Sequence, residues 1–182
     1  QDEKGKLTVT GIIEEEELDG RGHKLKRAGT AKSSVDNVVT VFKKVLGIDC
    51  RKYDIHLNFP GGMPIDGPSA GIAVFTAIYS AIKNIPVSAE IAMTGEISIK
   101  GKVKPVGGVT AKVEAAKMAG VKKVLIPKEN WQEIYKDIGI EVVAVDDINQ
   151  VIEHIANKDE KVVDEVLIKS PALNVLTAQA QL

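Results

Sequence analysis

Hydrophobic and polar positions change period several times along the chain, and each change marks an element. Residues 6–13 (KLTVTGII) are rich in β-forming types and predict a strand. The acidic run 14–17 and the Gly/Lys-rich stretch up to Gly29 predict a solvated loop or irregular hairpin. Val35, Val38, Val39, Phe42, Val45 and Leu46 form a helical stripe, with Ser33 and Ser34 as N-cap residues and Gly47 as its stop. Residues 53–59 alternate as a strand and lead through the loop 60–68 into a largely buried helix over 69–83. That helix ends near Asn84-Ile85-Pro86. Residues 91–94 read as a short strand, and Ile97-Ser98-Ile99 with Val103 as a hairpin around Lys100-Gly101.

The back half is more regular. A helix over 109–119 closes on Gly120, and a strand follows at 124–126. Pro127 opens a helix through Lys136, 141–145 is a strand, and Asp146 caps a helix to Ala156. Alternation of helix and strand implies parallel pairing here, whereas the front half reads as antiparallel. The expected class is α+β, a mixed sheet with packed helices. Residues 1–156 form one domain, and 157–182 a C-terminal tail, partly disordered or packed on a neighbour.

Composition narrows the function. The 182 residues suffice for one domain with a sizeable core. Aromatics are only 4%, so that core is built from Val, Ile, Leu and Ala. With 24 basic and 25 acidic residues the net charge is -1, which offers no footprint for nucleic acid or an acidic membrane surface. Cys50 is the only cysteine, so an internal disulfide and a cysteine-based zinc site are excluded, and no metal is expected. The apolar stretch 71–82 is too short to span a bilayer. The chain opens on Gln1 rather than Met and reads as a cytoplasmic fragment of a longer protein, with any membrane anchor or motor domain outside it.

Candidate chemistry concentrates in Gly61-Gly62-Met63-Pro64-Ile65-Asp66-Gly67-Pro68-Ser69-Ala70-Gly71. A strand enters this loop and an apolar helix leaves it, with Ser69 at the helix start. Gly67 permits a sharp turn that brings N–H groups near a ligand, and a helix N-terminus favours negative charge. Ala70 and Gly71 keep the space beside the hydroxyl clear. This suits an oxyanion formed when Ser69 attacks an acyl group. Taken alone, the loop equally fits a Ser69 that merely caps the helix. It also fits a phosphate cradle, although no Lys-Ser or Lys-Thr pair follows the glycines as in a Walker loop.

A nucleophilic serine needs a base. His23 lies in a charged loop and His154 in a C-terminal helix, while His56, on the strand entering the loop, either reaches the site or packs structurally. Lys112 is the stronger candidate. At about 100° per residue it falls about 60° from Val109, on the border of the stripe Val109, Val113, Ala116, Gly120. Small apolar neighbours there would partly desolvate it and disfavour its ammonium form. The plain alternative is a lysine whose stem packs while its head reaches water.

These residues resemble the Lon proteases. The resemblance runs through Asp66-Gly67-Pro68-Ser69-Ala70-Gly71, Met93-Thr94-Gly95-Glu96-Ile97, and Gly101-Lys102-Val103-Lys104-Pro105-Val106-Gly107-Gly108. It continues over Lys112 to Ala119-Gly120, in the family's order and spacing. It implies Ser69 as nucleophile, Lys112 as general base, and Thr94 as the hydroxyl that helps hold the lysine. Asp66 matches an acid that pairs with the lysine when the site is inactive. Ile65, where many bacterial members have a basic residue, and Asn58-Phe59-Pro60-Gly61-Gly62 look closer to the LonB-like branch. The resemblance further implies a homo-hexameric ring and an upstream AAA+ ATPase module that alone would use ATP and Mg. Unfolded protein or peptide substrates would lie extended along 57–63, with Leu57, Phe59, Gly61 and Met63 as contacts. Two rivals remain at this point: a phosphate-transferring enzyme using the Gly-rich turn, and a non-catalytic ring-forming module.

Overall fold

The computed structural model describes residues 5–11, 16–18, 24–26, 30–59, 67–155 and 175–179. The first strand, β1 (Leu7–Thr10), is followed by the antiparallel pair β2 (Glu16–Leu18) and β3 (Lys24–Lys26) and by helix α1 (Thr30–Lys44). Strand β4 (Asp54–Asn58) comes next, then a 3₁₀ turn Pro68–Ala70 and helix α2 (Gly71–Lys83). Strand β5 (Ile91–Met93) precedes the hairpin β6 (Glu96–Ile97) and β7 (Val103–Lys104), which carries the chain into helix α3 (Val109–Met118). The rest is β8 (Lys123–Pro127), β9 (Glu141–Val145), helix α4 (Ile148–Ile155) and β10 (Val175–Gln179).

Two three-stranded sheets have the orders β1-β4-β10 and β5-β8-β9, and every pair in both is parallel. The expected antiparallel front half is therefore corrected. Between β1 and β4 the chain makes a long excursion through α1, and a crossover of that kind returns a strand parallel to its predecessor. Among the described strands, antiparallel pairing joins β2 to β3 and β6 to β7, and an isolated antiparallel bridge links Lys102 to Asp147.

The sheet β5-β8-β9 divides the apolar interior in two. Successive side chains of a strand point to opposite faces, and β8 sorts its residues accordingly. Leu125 joins a large core with Phe42, Leu57, Phe59, Ala70, Ile72, Phe75, Ile78 and Val151. Val124 and Ile126 join a small core with Val109, Val113, Ala116 and Tyr135. Helices α1, α2 and α4 thus lie on one side and α3 on the other. Aromatic rings join α1 to α2, with Phe42 5.2 Å from Phe75 and 6.5 Å from Tyr79 between centroids.

Several element ends differ from expectation for identifiable reasons. Helix α1 starts at Thr30, so Ser33 and Ser34 lie inside it rather than capping it, and Ser34 is buried. Val41 is buried and Val45, past the last turn, is exposed. The helix expected from Pro127 is two 3₁₀ turns, Lys128–Asn130 and Glu133–Lys136, interrupted by extended backbone at Trp131 and Gln132. The cap of α4 is Asp147, whose Oδ1 accepts from the N–H groups of Asn149 (3.0 Å) and Gln150 (3.3 Å). Asp146 pairs with the Lys102 ammonium at 2.9 Å instead. Ala156 and residues 157–174 lie outside the described residues; of the tail, β10 is placed beside β4. Among the described residues, no helix is long and apolar enough to cross a membrane.

Two outcomes follow from this packing. A Cβ on Gly71 would sit 2.7 Å from the Ile97 backbone nitrogen and 3.1 Å from the Gly95 carbonyl oxygen. Gly71→Ala should therefore cost about 1–3 kcal/mol, seen as a lower urea midpoint. Cys50 is buried, and burial with the neighbouring Asp49 carboxylate pushes its thiol up to about 11. Iodoacetamide at pH 8 should leave Cys50 unmodified in the folded chain and alkylate it quickly in urea.

Candidate active site

Ser69 sits in the 3₁₀ turn that precedes α2, where its side chain is half-buried. The residue before the turn, Gly67, has φ 89°, a left-handed conformation that L side chains rarely adopt. A Cβ there would meet nothing within 4 Å, so glycine is needed for its backbone angle rather than for space. The residue entering the turn is Gly67 and the residue entering α2 is Ala70, and neither position has a side-chain cap. The reading of Ser69 as a helix cap therefore fails.

What holds Ser69 is the segment after β5. The Gly95 N–H donates to the Ser69 carbonyl at 2.9 Å, and the Ile72 N–H donates to the Gly95 carbonyl at 3.1 Å. The two backbones must be very close, which explains the missing side chains. At Gly95 a Cβ would sit 2.9 Å from Val103 Cγ1. Ala70 is buried in the large core, and Gly71 faces the 95–97 backbone. Clearing room for a substrate, the role expected of these two small residues, is thus replaced by close packing onto β6. Gly95 itself was not singled out from sequence, although a glycine between two short strands is a known sign of close backbone approach.

Lys112 reaches the same place from the opposite side of the sheet. Its N–H closes the first turn of α3 on the Gly108 carbonyl at 3.1 Å. Val109, Val113 and Ala116 form the buried face of α3, whereas Ala119 and Gly120 are exposed. Lys112 is exposed as well, so the expected desolvation beside Ala116 and Ala119 is not found. Its head nonetheless turns inward, and Nζ donates to Thr94 Oγ1 at 3.3 Å. Thr94 is buried, and its hydroxyl lies a long 3.5 Å from the Ser69 carbonyl. The parity of β5 explains its placement: Ile91 and Met93 pack on the large core and Ala92 on the small one, so Thr94 continues the face that looks toward α3. The Thr94 N–H, bonded to the Leu125 carbonyl at 3.0 Å, fixes that register.

The other expected site residues separate. His56 lies on the exposed face of β4, with Nε2 3.0 Å from Thr10 Oγ1. It points away from the core that holds Ala70 and Ile72 and does not join Ser69. Leu57 and Phe59 are buried in the large core, so their side chains are not open to a substrate. Both flanks of β4 are already paired, by β1 and β10, so an added strand at Leu57 would have to displace one of them. Gly61, Met63 and Asp66 lie outside the described residues.

Residues 3–158 match the family model described as the Lon protease (S16) C-terminal proteolytic domain. The chain is 52% identical over 170 residues to Lon protease 2 of Bacillus subtilis, covering 93% of the chain and 29% of that protein. It is 46% identical over 163 residues to the archaeal Lon protease of Archaeoglobus fulgidus, covering 87% of the chain and 24% of that protein. It is also 41% identical over 170 residues to the archaeal Lon protease of Thermococcus kodakarensis, covering 91% and 24%. The chain thus spans 24–29% of the length of these relatives. With a serine turn, a bridging threonine and an inward-turned lysine gathered at one end of a parallel sheet, and with the family model spanning most of its length, the chain belongs to the Lon protease C-terminal proteolytic-domain family.

Proposed function

We propose that this domain is a serine endopeptidase in which Ser69 is the nucleophile and Lys112 the general base. The observation that carries the reading is the pair of contacts made by one buried hydroxyl, from Thr94 Oγ1 to Lys112 Nζ and to the Ser69 carbonyl. A lysine acting as a base must be in its amine form with its lone pair aimed at the proton it takes. A hydroxyl partner orients the amine without adding a charge that would favour the ammonium, as a carboxylate would. Asp66 would supply such a carboxylate, and its approach to Lys112 would switch the site off.

In the reaction the Lys112 amine removes the Ser69 proton as Oγ bonds to the scissile carbonyl carbon. Backbone N–H groups of the turn around Ser69 stabilise the oxyanion. The Lys112 ammonium then protonates the departing amine, leaving an acyl-Ser69. Water, deprotonated by the same amine, attacks that ester and restores the serine. An arriving substrate covers the exposed Lys112 and removes water from its head, which disfavours the ammonium and leaves the amine free to take a proton only when there is something to cut.

Substrates are unfolded protein segments that lie extended along the stretch from Leu57 to Met63. In the longer protein the domain works beside an AAA+ module, which uses the ATP and Mg, and in a homo-hexameric ring. On this reading the domain works in the cytoplasm.

Ser69→Ala should abolish cleavage of an unstructured protein, and a peptidyl acylating inhibitor should modify Ser69 and no other residue by mass spectrometry. Full activity in the alanine variant, or ATP binding by the chain without any Ser69 modification, would end the reading. Thr94→Val should lower kcat by about 10- to 1,000-fold with the fold retained, and Thr94→Ser should restore most of it. Because the base must be unprotonated, kcat should fall as pH falls, and the acid limb should move in Thr94→Val.

A further inference from the structure

Helix α3 has no side-chain cap: Gly108 precedes it in a left-handed conformation, with φ 67°. Its first turn contains no acidic residue, and it buries one narrow face against β8. The helix that carries Lys112 is thus weakly framed by its own sequence. Its frame comes from the two 3₁₀ turns between β8 and β9.

Asn130, at the end of the first turn, pairs with both backbone groups of Val106. The Val106 N–H donates to Asn130 Oδ1 at 2.9 Å, and Asn130 Nδ2 donates to the Val106 carbonyl at 3.0 Å. This is the pattern a neighbouring strand would make, supplied by one side chain, and it fixes the loop two residues ahead of Gly108. Tyr135, in the second turn, is buried in the small core, and its hydroxyl lies 3.0 Å from Thr110 Oγ1. The Trp131 ring packs edge-on against it, with centroids 5.8 Å apart. Residues on both sides of the α3 start are therefore tied to a single short segment, and Lys112 follows Thr110 by two positions.

The geometry points to Asn130 and Tyr135 as positioning residues for Lys112, a clamp that sets where α3 begins and so where the amine meets Thr94. This rests on Lys112 being the base. Neither residue touches substrate; each acts through the helix. Displacing a catalytic group by about 1 Å can cost about 100-fold in rate, so the effect should be large for changes this far from the reacting atoms.

Asn130→Ala and Tyr135→Phe would be compared in the full chain with Ile134→Ala, an exposed position in the same segment. Three quantities are read: Tm, the pH dependence of Ser69 acylation by a peptidyl active ester, and competitive acetylation of Lys112 by acetic anhydride. The clamp predicts a drop in the acylation rate of about 10- to 100-fold for both clamp variants, with a shifted acid limb. It also predicts altered acetylation at Lys112 with Lys44, exposed at the far end of α1, as the unchanged reference, and no change in Ile134→Ala. Tyr135→Phe keeps the ring, so its Tm should stay within a few degrees of the parent. Unchanged acylation and unchanged Lys112 acetylation in both variants would overturn the clamp. Should Ser69→Ala prove fully active, the dyad falls, and the Lys112 acetylation still decides whether the clamp sets the amine.

Discussion

The fold turns on one buried hydroxyl at the end of β5. Thr94 is the point where two separately packed halves of the molecule meet, because its Oγ1 faces the amine of Lys112 on one side and the carbonyl of Ser69 on the other. Ser69 belongs to the large core through Ala70 and Ile72, and Lys112 to the small core through Val109 and Val113. No helix carries both groups, and no short loop joins them. Their meeting depends on the alternation along β5 and β8, which sends Leu125 to one side, Val124 and Ile126 to the other, and Thr94 toward α3.

That arrangement also accounts for the glycines. Gly71 and Gly95 let α2 and the β5–β6 connection approach until their backbones exchange hydrogen bonds, with no side chain between them. Gly67 serves a different purpose, a left-handed turn that aims the chain into the serine segment. The small residues around Ser69 are thus chosen for the protein's own close packing, and a substrate benefits only indirectly. Lys112 is tied down more lightly, an exposed residue whose head is aimed by one contact with a buried hydroxyl.

Much of this was legible in the residue pattern. The stripes of α1 and α2, the alternation of β4, the hairpin around Gly101 and the strands at 124–126 and 141–145 follow from periodicity and turn chemistry. The motifs that carry Ser69, Thr94 and Lys112 also stand out, since several joined segments share one register. Three kinds of feature were hidden. Strand direction in β1–β4 depends on where the chain returns after α1, which no local pattern encodes. The 127–136 segment has helix-compatible residues, but Asn130 is committed to the Val106 backbone and Tyr135 to Thr110, so tertiary bonds override propensity. Lys112 lies where helical geometry puts it, yet it is exposed, because α3 packs on the small core only through the narrow face of Val109, Val113 and Ala116.

The central claim is that the Lys112 amine is held where it can take the Ser69 proton. A crystal structure of the parent protein, refined to a resolution that fixes both side chains, measures this directly. The account predicts Lys112 Nζ within hydrogen-bond reach of Ser69 Oγ, about 2.6–3.2 Å, with Thr94 Oγ1 as its other partner. A Lys112 head turned to solvent, with Thr94 bonded elsewhere and no conformer that approaches Ser69, would contradict it.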